Sequence, residues 1–302
     1  MEDMITGLCP QCGHTLHIPA ELASFSCMYC GARLTKEQLA AEPPAAQEAD
    51  EDRAAYYDRA VSRLGWCIKN FGGYQKKIMR DVFFEAFETY ETGCAPVIQE
   101  LARGVAPERQ TQLLGRAAAA MLDELEAGWQ KKGDMEDEKI VLAIFFVPMV
   151  RKQQLPISEE FVTILQKQWV ERYPKSPFYL GDYESISGGF RKKFLGLCFI
   201  TTAVCQELGK PDDCEELTAF RAFRDGYLRS QPDGEALIRE YYNIAPGIVT
   251  CINTCSDRHA SYARIREEYL APCYQDLLAG RNESCKARYV RMVRDLEREC
   301  LS

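Results

Sequence analysis

Two cysteine pairs, Cys9-Pro-Gln-Cys12 and Cys27-Met-Tyr-Cys30, lie fourteen residues apart near one end of this 302-residue chain. They constrain its folding more tightly than any other feature. A CxxC loop turns both of its sulfurs toward one point, and two such loops supply the four thiolates of a tetrahedral site, with sulfurs about 2.3 Å from the metal. The spacing predicts one structural Zn2+ held by Cys9, Cys12, Cys27 and Cys30. Gly13 and Gly31 follow the two pairs directly and permit the tight backbone that each loop needs. With all four ligands drawn from protein, the coordination sphere is closed and leaves no position for catalysis. A module this small buries little core, so the metal supplies much of its stability; structural zinc contributes roughly 10–16 kcal/mol of apparent binding free energy in comparable peptides. A redox dithiol of the thioredoxin kind would need a βαβ surround, which is absent. His14 and His17 read as surface residues beside a complete thiolate set.

Between the pairs, Leu16-His17-Ile18-Pro19 and Phe25 read as short strands, and residues 1–35 resemble a zinc ribbon. From 36 to 53 the composition turns to Ala, Glu, Pro and Asp around Pro43-Pro44. Few large apolar residues and a negative balance mark an acidic, solvated linker there.

Beyond the linker the apolar residues recur at helical spacing. Helices are expected over 54–68, 77–90 (spine Phe83, Phe84, Phe87), 108–131, 137–150 and 158–172, the last with Ser158 as a candidate N-cap. The apolar run 140–150 is too short to span a bilayer and contains Pro148, so it reads as a buried core helix kinked at the proline. Residues 175–189, ending in Gly188-Gly189, read as a loop and hinge. Further helices are expected over 257–278 and 282–301, the last carrying Arg288, Arg291, Arg294 and Arg298 among acidic residues as a solvated face. The fold class is therefore mainly α: a multi-helix body behind a small β ribbon. The domain division expected is 1–35, a linker 36–53, a helical domain 54–187 and a second helical domain 188–302.

The second of those domains carries the densest pattern. Gly-Leu-Cys198-Phe-Ile-Thr-Thr-Ala-Val-Cys205 is almost wholly small or apolar, which predicts an element buried on every side. Helix and strand are both compatible with it; helix is favoured because its neighbours are helical. Asp212 with Glu215 suggests a capping box. Leu217, Phe220, Phe223 and Tyr227 then share one helix face, and a second start follows at Asp233. This succession resembles the CFI-box family of bacterial C-terminal domains. The matching residues are Cys198, Phe199, Ile200, Thr202, Ala203, Leu217, Phe223, Arg224, Asp225, Tyr241, Tyr242 and Pro246. The resemblance covers about fifty residues and carries no established activity with it.

Ten of the fourteen cysteines lie outside the ribbon, where free cysteine behaves as a small hydrophobe. Cys198 is weighed separately as a catalytic candidate. Arg191, Lys192 and Lys193 upstream, or a helix N-terminus, would favour its thiolate, whereas apolar burial would disfavour it, and His259 is the sole available base in this part of the chain. Cys251, Cys255 and His259 would form a column on one continuous helix and half of a metal site, but Ser256-Asp257 reads as a fresh helix start that breaks it. Arg221, Arg224 and Asp225 form a polar cluster: either a surface pair between Arg221 and Asp225, or an anion or partner anchor at Arg224.

A net charge of −8 and a pI of about 5.2 argue against broad affinity for nucleic acid or anionic membrane. Met1-Glu2-Asp3 has no apolar core behind it, and fourteen cysteines without a secretion signal point to reduced thiols in a cytosol. The function expected is a cytoplasmic binding, regulatory or scaffold module whose partner is another protein. The alternatives are a thiol-dependent enzyme using Cys198 and nucleic-acid binding by the ribbon. The latter is disfavoured because Arg33 is the only basic residue before Lys36.

Overall fold

A computed structural model describes residues 4–11, 15–39, 50–191 and 198–301. It divides after Arg53 into two compact units.

The first unit is built from two small antiparallel ribbons. Strand β1 (Met4–Leu8) pairs with β2 (Thr15–Pro19), setting Met4 opposite Pro19, and β3 (Ser24–Ser26) pairs with β4 (Arg33–Thr35), setting Phe25 opposite Leu34. Its core consists of Cys9, Leu16, Cys27 and Leu34, with Phe25, Ala32 and Leu39 packed on it. Gly31 adopts φ +76°, which a side chain would strain, and its N–H bonds the Cys27 carbonyl at 2.8 Å. A 3-10 turn, Lys36–Gln38, follows β4, and Lys36 donates to the Ala20 carbonyl at 2.7 Å. The unit therefore continues through Leu39, past the boundary expected at residue 35. The middle of the expected linker, 40–49, lies outside the described residues, and the last part of it is already helical.

Among its described residues the second unit contains helices and the turns between them, and no strand. Its helices begin with α1 (Asp50–Leu64), whose first turn precedes the division, followed by α2 (Trp66–Lys69), a 3-10 turn at Tyr74–Lys77, α3 (Phe83–Gly104) and α4 (Gln110–Gly128). Next come α5 (Lys132–Val141), α6 (Val147–Lys152), α7 (Ser158–Arg172) and α8 (Tyr183–Arg191). The box region contributes α9 (Phe199–Glu207), α10 (Glu215–Phe223) and α11 (Gly234–Cys255), and the chain continues through α12 (Arg258–Ile265), α13 (Ala271–Leu278) and α14 (Asn282–Leu301). The apolar stretch 199–205 is thus helical.

Three π turns join helices without breaking them: Leu142–Phe146, Arg224–Leu228 and Arg266–Leu270. Pro148 and Pro272 each stand second in the helical segment after such a turn. Proline lacks the N–H that an α-helix requires and crowds the carbonyl four residues back. A wider i→i+5 turn just before it relieves both problems. The expected kink at Pro148 is therefore a π turn.

Every residue from Ile140 to Val150 is buried, and Phe145 sits among Tyr74, Phe83, Phe87 and Tyr90 with ring centroids 5.2–6.1 Å apart. One cluster of buried side chains runs from Ala60 to Leu301, across the divide expected at 187/188. The expected hinge is corrected as well: Gly188 and Gly189 lie within α8, whose Ile186, Ser187 and Phe190 are buried. Phe190 stacks on Phe83 at 4.3 Å. Packing of that face outweighs the helix cost of two glycines, roughly 1 kcal/mol each.

Candidate functional site

In the first unit the knuckles bring three sulfurs together. Those of Cys9, Cys27 and Cys30 lie within 4.8 Å of one another, and Cys9 Sγ is 3.7 Å from Cys30 Sγ. A disulfide would put two sulfurs about 2.05 Å apart. Thiolates at about 2.3 Å around one tetrahedral ion would be about 3.8 Å apart. The spacing fits a shared metal and not a bond. Cys12, the expected fourth ligand, and His14 lie outside the described residues.

In the second unit the site is assembled around the start of α9. Cys198 occupies the N-cap position, and its carbonyl accepts from Thr202 N at 2.6 Å. A cysteine side chain caps poorly, so the exposed N–H groups of this buried end need other partners. The Ile200 N–H donates to Tyr241 Oη at 3.0 Å; Tyr289 Oη lies 3.4 Å from that oxygen and 3.1 Å from Thr201 Oγ1. Burial raises the pKa of both tyrosine hydroxyls, which keeps them protonated.

The Cys198 thiol is 5% exposed, and Arg224 Nη1 donates to its sulfur at 3.5 Å. Burial raises the thiol pKa, while the Arg224 and Arg221 guanidiniums oppose the rise. Arg224 turns its other edge to the neighbouring carboxylate: Nε to Asp225 Oδ1 at 2.8 Å and Nη2 to Oδ2 at 2.6 Å. That contact holds the Asp225 pKa below the usual carboxylate range. Sulfur and guanidinium border a narrow apolar cavity of ≈ 70 Å³ whose walls include Phe220, Phe223, Leu237, Tyr241 and Tyr289. At its edge Glu240 clasps Arg294 with two bonds of 2.7 Å.

Several expected pairings are corrected. Arg221 does not meet Asp225. It donates to the Asp212 carbonyl and carboxylate, both at 2.8 Å, because the π turn beginning at Arg224 resets the register after α10. Asp212 therefore does not cap α10, whose N-cap residue is Cys214. Ser158 begins α7 as its first residue, not its cap, and its hydroxyl bonds Val150 O and Leu155 N instead. The column Cys251–Cys255–His259 is interrupted. The two cysteines end α11 in the core, whereas His259 is exposed on α12 with Nδ1 3.4 Å from Glu207 Oε1. Asp257 caps α12 by accepting from Ala260 N at 3.1 Å. The arginines of α14 are engaged, with Arg288 on Asp276, Arg291 and Arg298 on Asp295, and Arg294 on Glu240.

What the sequence reading missed is the pairing of the remaining thiols. Cys67 lies against Cys94, Cys205 against Cys214, Cys273 against Cys285, and Cys251 against both Cys255 and Cys300. Cys198 instead accepts a hydrogen bond from a cation, Arg224. Cys67–Cys94 and Cys251–Cys300 join residues far apart in the chain, so no local pattern signals them.

No protein-family model matches the chain, and no curated protein or solved structure matches it either. Among the described residues no helix is long and apolar enough to cross a membrane.

Proposed function

We propose that this protein is a non-enzymatic zinc-ribbon module that binds another protein, with the CFI-box-like region as a second contact surface. One structural Zn2+ is held by Cys9, Cys12, Cys27 and Cys30, and the reduced thiols suit a cytosolic setting. The observation that carries the binding reading is the second knuckle. Met28 and Tyr29, between the two ligands Cys27 and Cys30, are 80% and 57% exposed, and Met4 and Leu22 are exposed on the same small unit. Adjacent large apolar side chains held in water on a metal-braced turn favour a protein contact. The acidic balance and the isolation of Arg33 disfavour nucleic acid.

The second reading, a thiol-dependent enzyme, draws on the contact between Arg224 and Cys198. Against it stand the burial of the sulfur and the lack of a base. His259 is the only histidine after the linker, and its partner Glu207 closes α9 about 13 Å from Cys198 at the other end.

Two measurements test the proposal. Elemental analysis should find one zinc per chain, lost in Cys9→Ser plus Cys27→Ser; equal zinc in both proteins removes the metal site. A photo-crosslinking residue at position 29 should then yield one discrete protein adduct in cells, abolished by Met28→Ser with zinc retained. A diffuse smear, or an adduct indifferent to Met28→Ser, removes the contact.

A further inference from the structure

The pair Cys205 and Cys214 differs from every other thiol group in the helical body. Their sulfurs are 3.9 Å apart, already in contact but unbonded. Cys205 is buried near the end of α9, whereas Cys214, at the start of α10, is the one cysteine of the body that is not buried. The intervening loop is a tight turn fixed by backbone bonds: Lys210 N to Cys205 O at 2.9 Å and Cys214 N to Pro211 O at 3.1 Å. Gly209 within it adopts φ +67°. Two sulfurs held in contact by a constrained turn, one reachable from solvent and one not, have the arrangement of an attacking and a resolving thiol.

We propose that Cys205 and Cys214 form a reversible disulfide, exchanging with a small disulfide such as oxidised glutathione, that staples the end of α9 to the start of α10. The Cys214 thiolate attacks one sulfur of the small disulfide, forming a mixed disulfide and releasing one thiolate. The Cys205 sulfur then attacks the Cys214 sulfur, its proton passes to solvent, and the second small thiolate leaves. Two electrons and two protons move from the protein to the two small thiols. Burial and the adjacent Cys214 sulfur push the Cys205 thiol up to about 12, which protects it from direct oxidation. Once Cys214 is capped as a neutral mixed disulfide, its share of that push disappears and resolution can proceed. The staple closes a short loop joining the two helices that carry Cys198 and Arg224. The couple requires neither the zinc site nor a partner protein.

The test uses full-length, zinc-loaded protein equilibrated without oxygen in mixtures of reduced and oxidised glutathione, then trapped with an alkylating reagent. Digestion after glutamate cuts at Glu207, between the two cysteines, so the two fragments remain joined only through a disulfide. Joined fragments should appear in oxidised buffer, with the intact mass reduced by two hydrogens, and should revert in excess reduced glutathione. The thermal midpoint of the oxidised form should rise by roughly 3–8 °C. Cys214→Ser, a change at a partly buried position, should abolish both effects. Fragments that never join in folded protein, though they join when it is denatured, would overturn the proposal. A link that persists in Cys214→Ser, or an oxidised form that melts lower than the reduced one, would do the same.

Discussion

Arg224 bridges two groups of opposite demand: Nη1 rests on the buried sulfur of Cys198 at 3.5 Å, while Nε and Nη2 grip both oxygens of the half-exposed Asp225. A planar guanidinium serves both partners at once, which an ammonium cannot. Arg224→Lys should therefore lower stability about as much as Arg224→Met, by about 1–3 kcal/mol in denaturant titrations. Full recovery by lysine would show that only the charge matters there.

The Cys198 thiol should behave as packing. Iodoacetamide should label it only on unfolding, and Cys198→Ala should cost about 1–2 kcal/mol with a lower melting temperature. Rapid labelling of native protein together with an unchanged melting point would favour the nucleophile instead.

Two glycines give opposite expectations. A Cβ on Gly247 would meet the Ile78 carbonyl oxygen at 1.8 Å, a backbone atom that cannot yield. Gly247→Ala should cost roughly 3 kcal/mol or more. Gly188, inside α8 with nothing within 4 Å of its added carbon, should gain up to about 1 kcal/mol on replacement by alanine. Calorimetry on the two variants tests both signs.

Acid should weaken the junction of α13 and α14. Asp276 accepts from Arg281 Nε at 2.9 Å and from Ser284 Oγ at 3.0 Å, with Arg288 nearby, and these partners lower its pKa. A depressed folded-state pKa gives stability that is fully present above the unfolded value, near 4, and is lost as pH falls through the folded one. Wild type should thus exceed Asp276→Asn in stability by a constant margin above about pH 5, and the margin should close below about pH 4. A margin unchanged down to pH 2 would mean that shape and not charge is at stake.

A chain beginning at Asp50, where α1 starts, should stay folded and helical by circular dichroism after removal of the ribbon. Aggregation of that fragment would show that the helical unit depends on the first 49 residues.

Helices with clean local signals were legible to the residue. Residues 158–172 and 282–301 match α7 and α14 at both ends, because a run of periodic apolar residues bounded by polar turns is a local property. So was the convergence of Cys9, Cys27 and Cys30, since a CxxC loop has few ways to point its sulfurs. Other features depended on distant parts of the chain. Gly188-Gly189 reads as a break until Phe190 is seen stacked on Phe83, a hundred residues upstream. The register of Arg224 hangs on a π turn that periodicity cannot announce, and so the pairing of Arg221 with Asp212 was missed. The contacts Cys67–Cys94 and Cys251–Cys300 belong to the same class.

The packing of α14 on α11 and on the turn at Tyr74–Lys77 also sets an order of events during synthesis. That turn emerges from the ribosome roughly 200 residues before the helix that covers it, an interval of about 10–40 s at ordinary elongation rates. Throughout that interval Met292, Leu296 and Leu301, all buried in the finished fold, have yet to cover the core they complete, which leaves apolar surface of the nascent chain open to water and to chaperones.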